Sequence, residues 1–260
     1  MTRILLTRLG GLGDLLFIEP IIRAIHEEHK PCEIVFRTYI DFYDVLTHHP
    51  LISDVVCDTM DYYLGYYDEL KPKESPYWRG INSFFDLHFD FQGVLEKGVK
   101  SQDPRYEIPM SHAVAKHMLL GKNITLNSII PQIHFSKQNV PSYNIVAQLR
   151  ANEEDRCLHE NKEVLQTLSK YENYHIIGEE KLNYHEFISI IDNCNLFIGT
   201  ESCGTLIARG LNKQTIGFYT NNSRKNILSF DKVTQLTFNQ THKLEEAIDS
   251  YESVQTTKLI

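Results

Sequence analysis

Residues 3–14 read Arg-Ile-Leu-Leu-Thr-Arg-Leu-Gly-Gly-Leu-Gly-Asp, and this stretch decides the fold. Arg3 to Arg8 is a short apolar β run. It meets Gly10, Gly11 and Gly13, and then Leu15, Ile18, Ile22 and Ile25 recur at helical spacing. The chain therefore passes from a strand, through a glycine turn, into a helix that buries one face. Further β runs follow at 33–38 and 53–57. Short apolar strands separated by helices predict a parallel, doubly wound sheet.

Working outward, residues 59–80 break the rhythm. They hold Tyr62, Tyr63, Tyr66, Tyr67, Tyr77 and Trp78 with two prolines and two glycines, and read as a long excursion. Residues 84–91 restore a strand, and 111–120 has a helical pattern. The stretch from Ile130-Pro131 to Val140-Pro141 reads as the linker, dividing the chain into lobes 1–138 and 139–260. After it the alternation restarts. Strands are predicted at 144–149, 174–178, 195–199, 214–219 and 233–238. Helices are predicted at 161–171 and 184–193, after a turn beyond Gly199 through Leu211, and around Leu244, Ile248 and Tyr251.

Composition narrows the class. The 260 residues suit about two domains. The chain is 42% hydrophobic and 23% charged, which excludes a largely disordered or collagen-like chain. No apolar run approaches the ~20 residues that span a bilayer, and the opening apolar run is too short for a signal peptide. A net charge of −8 argues against a globally basic nucleic-acid binder. Five scattered cysteines form no Cys-x-x-Cys pair and read as reduced thiols in a cytoplasmic protein.

Three motifs carry chemistry. In the first, glycines and the start of a helix let an anion approach free backbone amides, and Asp14 falls at or near the N-cap. Its bland role is capping alone. In the second, Phe85 to Gly93, alternating apolar residues make a strand whose carboxyl end carries Asp90, Gln92 and Gly93. Ligands bind at such ends in open α/β sheets; the bland reading is an Asx turn. His88 and Asp90 suggest a metal pair but have no third ligand at a convincing spacing. There is also no Asp-x-Asp triplet, so a metal-free site is expected. The third runs from Gly199 through Thr200, Glu201, Ser202, Cys203 and Gly204 to Thr205, again from strand into helix. No acidic residue occurs from Ser202 to Phe230, while Arg209, Lys213, Arg224 and Lys225 do. A helix start in a locally positive field suits a diphosphate. The bland reading is a structural turn capped by Ser202, with Cys203 a small buried thiol.

In this order the three motifs resemble glycosyltransferase family 9, the ADP-heptose:lipopolysaccharide heptosyltransferases and their relatives. RILLTRLGGLGDLLFIEPIIRAI resembles the family's opening strand, Gly-Asp turn and helix with internal proline, here Pro20. FDLHFDFQGVLEK resembles its Asp-x-Gln-Gly strand, and GTESCGTLIARGLNKQTIGFY its Asp-Thr-Gly turn, helix and following strand. The resemblance implies a GT-B fold of two Rossmann-like lobes facing a central cleft. It implies an inverting, metal-independent transferase that needs no cofactor and uses a nucleotide-diphosphate sugar as donor.

The implied site follows residue by residue. Asp14 is the general base. Gly11, Gly13, Glu201, Ser202, Cys203 and Gly204 belong to the donor side, with Glu201 at the family's acidic contact. Arg150 or Arg156 supplies a phosphate cation, and Glu179 lies near the nucleoside. Asp90 and Gln92 face the acceptor, with Tyr66 and Trp78 of the aromatic excursion as stacking surfaces. Three positions depart from the family pattern: its aspartate is Glu201, its glycine is Cys203, and its histidine is Leu206. The donor sugar and base are therefore open. The acceptor reads as a glycan of lipopolysaccharide type, compatible with peripheral membrane contact. Four acids and three bases in 59–80 make a poor track for a phosphate backbone, though hydroxymethylated bases of viral DNA are an alternative acceptor. Two other classes compete. One is a serine hydrolase using Ser202 with Asp231 and His242; the other is a nucleotide-sugar binding module without catalysis.

Overall fold

The computed structural model describes residues 1–58, 83–91, 126–151, 154–178, 180–220 and 233–258. The chain separates into two compact units, Met1–Ser136 and Lys137–Ile260. The expected excursion at 59–80 and helix at 111–120 lie outside the described residues.

The first unit contains β1 (Thr2–Thr7), α1 (Leu12–His29), β2 (Cys32–Tyr39), α2 (Tyr43–Thr47), β3 (Asp54–Asp58) and β4 (Leu87–Asp90). Its sheet has the order β3-β2-β1-β4, with every pairing parallel. Three consecutive residues of β1, Ile4, Leu5 and Leu6, are fully buried, so both faces of the sheet are covered. The α1 stripe of Leu15, Ile18, Ile22 and Ile25 is at most 2% exposed. Each such side chain contributes about 1.5–3 kcal/mol on burial. The helix continues through Pro20, which donates no ladder hydrogen bond. The strand predicted over 84–91 is shorter, because Asp86 Oδ2 accepts the Arg3 N–H at 2.8 Å and the Phe84 carbonyl takes the Arg3 guanidinium at 3.1 Å.

The second unit contains β5 (Tyr143–Gln148), α3 (Lys162–Leu168), β6 (Tyr174–Ile177), α4 (Tyr184–Asp192), β7 (Cys194–Gly199), α5 (Cys203–Gly210), β8 (Gln214–Tyr219), β9 (Val233–Thr237) and α6 (Leu244–Lys258). Its order is β6-β5-β7-β8-β9, again parallel throughout. Ile145, Ala147, Leu196, Ile198, Ile216 and Phe218 alternate along their strands and pack in one core with Val164 and Leu168 of α3 and Leu244 and Ile248 of α6. Local chemistry sets the helix starts. Asn161 caps α3 through the Val164 N–H, and Asn183 and Glu186 form a reciprocal capping box on α4.

The stretch read as a linker is fastened along its length. Arg23 Nη2 donates to the Ile130 carbonyl at 2.8 Å, the Gln132 N–H donates to Glu19 Oε2 at 2.8 Å, and Ser136 Oγ lies 3.0 Å from His48 Nε2. Beyond the division, Lys137 pairs with Asp192, and the Gln138 N–H donates to Ser189 Oγ. Among the described residues, no helix is long and apolar enough to cross a membrane.

Candidate active site

Strand order reverses once in each sheet. In the first, the chain builds outward from β1 to β3 and then returns with β4 on the other side of β1. In the second, β6 and β7 flank β5 on opposite sides. Crevices at the carboxyl ends of such strands are where open α/β sheets bind ligands. The first and third motifs lie at these two points.

At the first reversal Arg8 follows β1 and is only 1% exposed. Its Nη1 donates to the Phe91 carbonyl at 3.1 Å, and its Nη2 lies 3.0 Å from Asp14 Oδ2. The Gly11 N–H donates to the same oxygen at 3.0 Å. Helix α1 starts at Leu12, with extended Gly11 as its N-cap. Asp14 is therefore the third helical residue and not the cap. Glycine has no side chain to cap with, so the carboxylate one turn on reaches back. Oδ2 is held twice, whereas among the described residues nothing donates to Oδ1, and the side chain is 33% exposed. A Cβ on Gly10 would stand 2.5 Å from Asp14 Oδ2 and 2.8 Å from Arg8 Nε, so glycine is required for this approach. Gly13 lies in the first turn of α1.

Beside this, Arg37 of β2 meets Asp58 at the end of β3, Nε and Nη2 each 2.7 Å from Oδ2, with both side chains buried. Burial pushes the Asp58 carboxyl up, and Arg37 offsets that only in part. Asp90 is exposed at the end of β4, in register with Thr7. His88 lies with its Nε2 3.0 Å from Thr7 Oγ1. Gln92, Tyr66 and Trp78 lie outside the described residues.

Glu19, His49 and His134 bring three metal-ligating atoms within 4.8 Å of one another, a cluster sequence reading missed. Its hydrogen bonds argue against a metal. The Leu51 N–H donates to His49 Nδ1 at 3.2 Å, so that nitrogen is an acceptor and Nε2 carries the proton. Nε2–H points to Glu19 Oε1 at 3.4 Å and has no lone pair for an ion. Arg23 already grips Glu19 at 2.9 and 3.2 Å. Burial raises the Glu19 pKa, but the bonds from His49, Arg23 and Gln132 outweigh it and hold the carboxyl below its ordinary value. The cluster secures residues 130–134 to α1.

At the second reversal, Gln148 ends β5 and Ser202 occupies the N-cap position of α5. Contrary to the expected serine cap, Ser202 makes no side-chain bond to the helix. Its hydroxyl donates to Gln148 Oε1 at 2.8 Å. The first turn of α5 has no acidic residue. A Cβ on Gly204 would lie 2.0 Å from Gln148 Oε1, so the amide oxygen rests against the helix start. Cys203 is half-buried rather than fully buried, and desolvation pushes its thiol up to about 11. Leu206 is 2% exposed and belongs to the packing.

Glu201 is 4% exposed. Its Oε2 accepts the Thr220 N–H at 3.3 Å and the Thr220 hydroxyl at 3.1 Å. Arg156 Nη1 donates to the Glu201 carbonyl at 3.4 Å and lies 4.0 Å from Oε1. Of the two candidate phosphate cations, Arg156 thus stands beside the motif, while Arg150 is exposed after β5. Glu179 lies outside the described residues, next to Gly178, whose φ of +118° is strained for any other residue. Arg8 and Gln148 escaped sequence reading. The signal for each was a polar side chain closing an apolar strand.

No protein-family model and no curated protein sequence matches the chain. Solved structures do. The heptosyltransferase WaaC of E. coli with ADP superposes with a TM-score of 0.67 at 10% identity, covering 96% of this chain and 99% of that one. E. coli ADP-heptose lps heptosyltransferase II gives 0.64 at 10% identity, over 98% and 100% of the two chains. A glycosyl transferase family 9 protein of Veillonella parvula gives 0.64 at 11% identity, over 95% and 89%. Likeness at such identities is a likeness of fold. With its two parallel sheets and their helices, the chain has the GT-B fold of these heptosyltransferases.

Proposed function

We propose that the protein is an inverting glycosyltransferase. It moves a sugar from a nucleotide-diphosphate donor to a hydroxyl of a glycan acceptor, with Asp14 as general base and without a metal. The observation that carries this reading is the asymmetry of the Asp14 carboxylate. Arg8 and Gly11 hold Oδ2, and among the described residues Oδ1 receives no hydrogen bond on a partly exposed side chain. A carboxylate fixed at one oxygen and open at the other is preorganised to take a proton.

In the reaction, Oδ1 accepts the proton of the acceptor hydroxyl as its oxygen bonds to the anomeric carbon. The bond from that carbon to the diphosphate breaks, and its electron pair leaves on the phosphate oxygen. The first-turn amides of α5, with Arg156 nearby, are the groups suited to that growing negative charge. Glu201 reaches the donor less directly than the family resemblance implies, because Thr220 and Arg156 already engage it. The hydrolase reading loses ground, since the Ser202 hydroxyl donates to Gln148 and His242 is exposed.

A thermal-shift panel of ADP, UDP, GDP and CMP with their sugar conjugates tests the proposal. A nucleotide at 100 times its Kd stabilises by about 2.7 kcal/mol. One nucleotide class shifting the melt equally with and without EDTA is the expected result. A flat panel would remove the transferase reading.

A further inference from the structure

The side-chain oxygen of Gln148 lies against the α5 turn. Gln148 Oε1 takes the Ser202 hydroxyl at 2.8 Å and rests against Gly204, whose Cβ, if present, would fall 2.0 Å away. The start of α5 is the positive end of its dipole and has neither a side-chain cap nor a first-turn acid. The amide oxygen therefore lies beside the first turn of a helix whose start favours negative charge. In the same turn the fully buried Thr200 Oγ1 has no hydrogen-bond partner among the described residues. Polar capacity there is left over after folding.

Resting on the donor site proposed above, we infer that Gln148 is a diphosphate-binding residue that works by turning over its amide. A phosphate oxygen on the α5 amides meets the Gln148 oxygen as one partial negative charge meets another. Half a turn about the terminal torsion exchanges that oxygen for the NH2 group, which is nearly the same size. Nε2 then donates to the phosphate. The Ser202 hydroxyl loses its acceptor and swings to donate as well. One side chain thereby converts two groups bonded to each other into two donors for an anion. This gives glutamine a purpose at the end of an otherwise apolar strand, with Gly204 leaving room for its amide.

The test is calorimetric titration of the full chain with inorganic pyrophosphate and, separately, with ADP, UDP and GDP. Wild type is compared with Gln148→Met and Gln148→Glu. Glutamate can still accept from Ser202, so that variant keeps the structural bond and should melt with wild type. Methionine matches the length and can donate nothing. The expected result is a loss of about tenfold or more for methionine, the worth of one hydrogen bond to a charged group. Glutamate should lose more, while binding of the matching nucleoside stays unchanged in both. Unchanged diphosphate binding in either folded variant would overturn the role of Gln148 and leave the donor site standing. A wild-type protein that binds pyrophosphate and nucleotides not at all would overturn both.

Discussion

The turns Arg8–Asp14 and Gly199–Gly204 share a backbone plan and differ in charge. Each leaves a parallel strand at the point where strand order reverses, crosses a glycine whose Cβ would crowd neighbouring side chains, and enters a helix. In the first, the helix end is answered from within: the Asp14 carboxylate bonds the Gly11 amide and has a buried arginine behind it. In the second, Ser202 turns to Gln148, and the helix end keeps its positive character. The same scaffold feature presents a carboxylate in one unit and a site for anions in the other. A parallel sheet supplies the location, and one or two side chains decide which chemistry it hosts.

The largest expected effect breaks that contrast outright. Asp14→Asn should lower turnover by about 10²–10⁴-fold while nucleotide binding persists. Single-turnover kinetics beside calorimetry would show it, and wild-type turnover would end the role. Glu19→Gln sharpens the contrast from outside the strand ends. It should cost about 3 kcal/mol of stability, because Arg23 and His49 lose a buried charged partner. Once folded, the variant should turn over normally, and chelators should leave the wild-type melting temperature unmoved. Glu19 has a depressed folded-state pKa, so its contribution is complete above the ordinary carboxylate range and is lost as pH falls through its own lower value. Urea midpoints from pH 7 down to pH 3 should show an acid-side decline that Glu19→Gln flattens.

Next comes a pair of glycines. Gly204→Ala forces a Cβ onto the Gln148 oxygen and should cost about 1–3 kcal/mol and weaken diphosphate binding. At Gly11 the nearest atom is 4.0 Å away, so Gly11→Ala should cost at most about 1 kcal/mol. Equal losses would mean the two turns are packed alike. The smallest effect concerns Cys203. With its thiol pushed up to about 11, the thiolate fraction at pH 8 is about 10⁻³, so alkylation should be slow and rise about tenfold per pH unit. Peptide mass spectrometry after timed iodoacetamide treatment would follow it. Rapid labelling at pH 7 would place a reactive thiol beside the donor turn.

Much of this architecture was legible before any coordinates. Arg3 to Arg8 read as a short apolar strand of a doubly wound sheet, and the spacing of Leu15, Ile18, Ile22 and Ile25 marked the buried stripe of α1. The helices read at 161–171 and 184–193 are present as α3 and α4, and the structure shows Asn161 and Asn183 as their caps. Prolines at 131 and 141 marked the linker, and the chain divides within that stretch, after Ser136. Its hydrogen bonds to Glu19, Arg23, Ser189 and Asp192 were not legible. Those partners lie 51 to 113 residues away, and no local pattern encodes them.

The sequence by itself determined most of the described strands and helices and that Asp14 and Ser202–Gly204 open helices. Those outcomes follow from backbone sterics and from periodic burial, both local properties. Tertiary structure alone decided the rest: that Arg8 holds Asp14 by one oxygen, that Glu201 turns to Thr220, and that Ser202 gives its hydroxyl to Gln148. Each depends on which carboxyl strand ends the sheet order places side by side. Hydrogen bonds act across about 3 Å of space, whatever the distance along the chain.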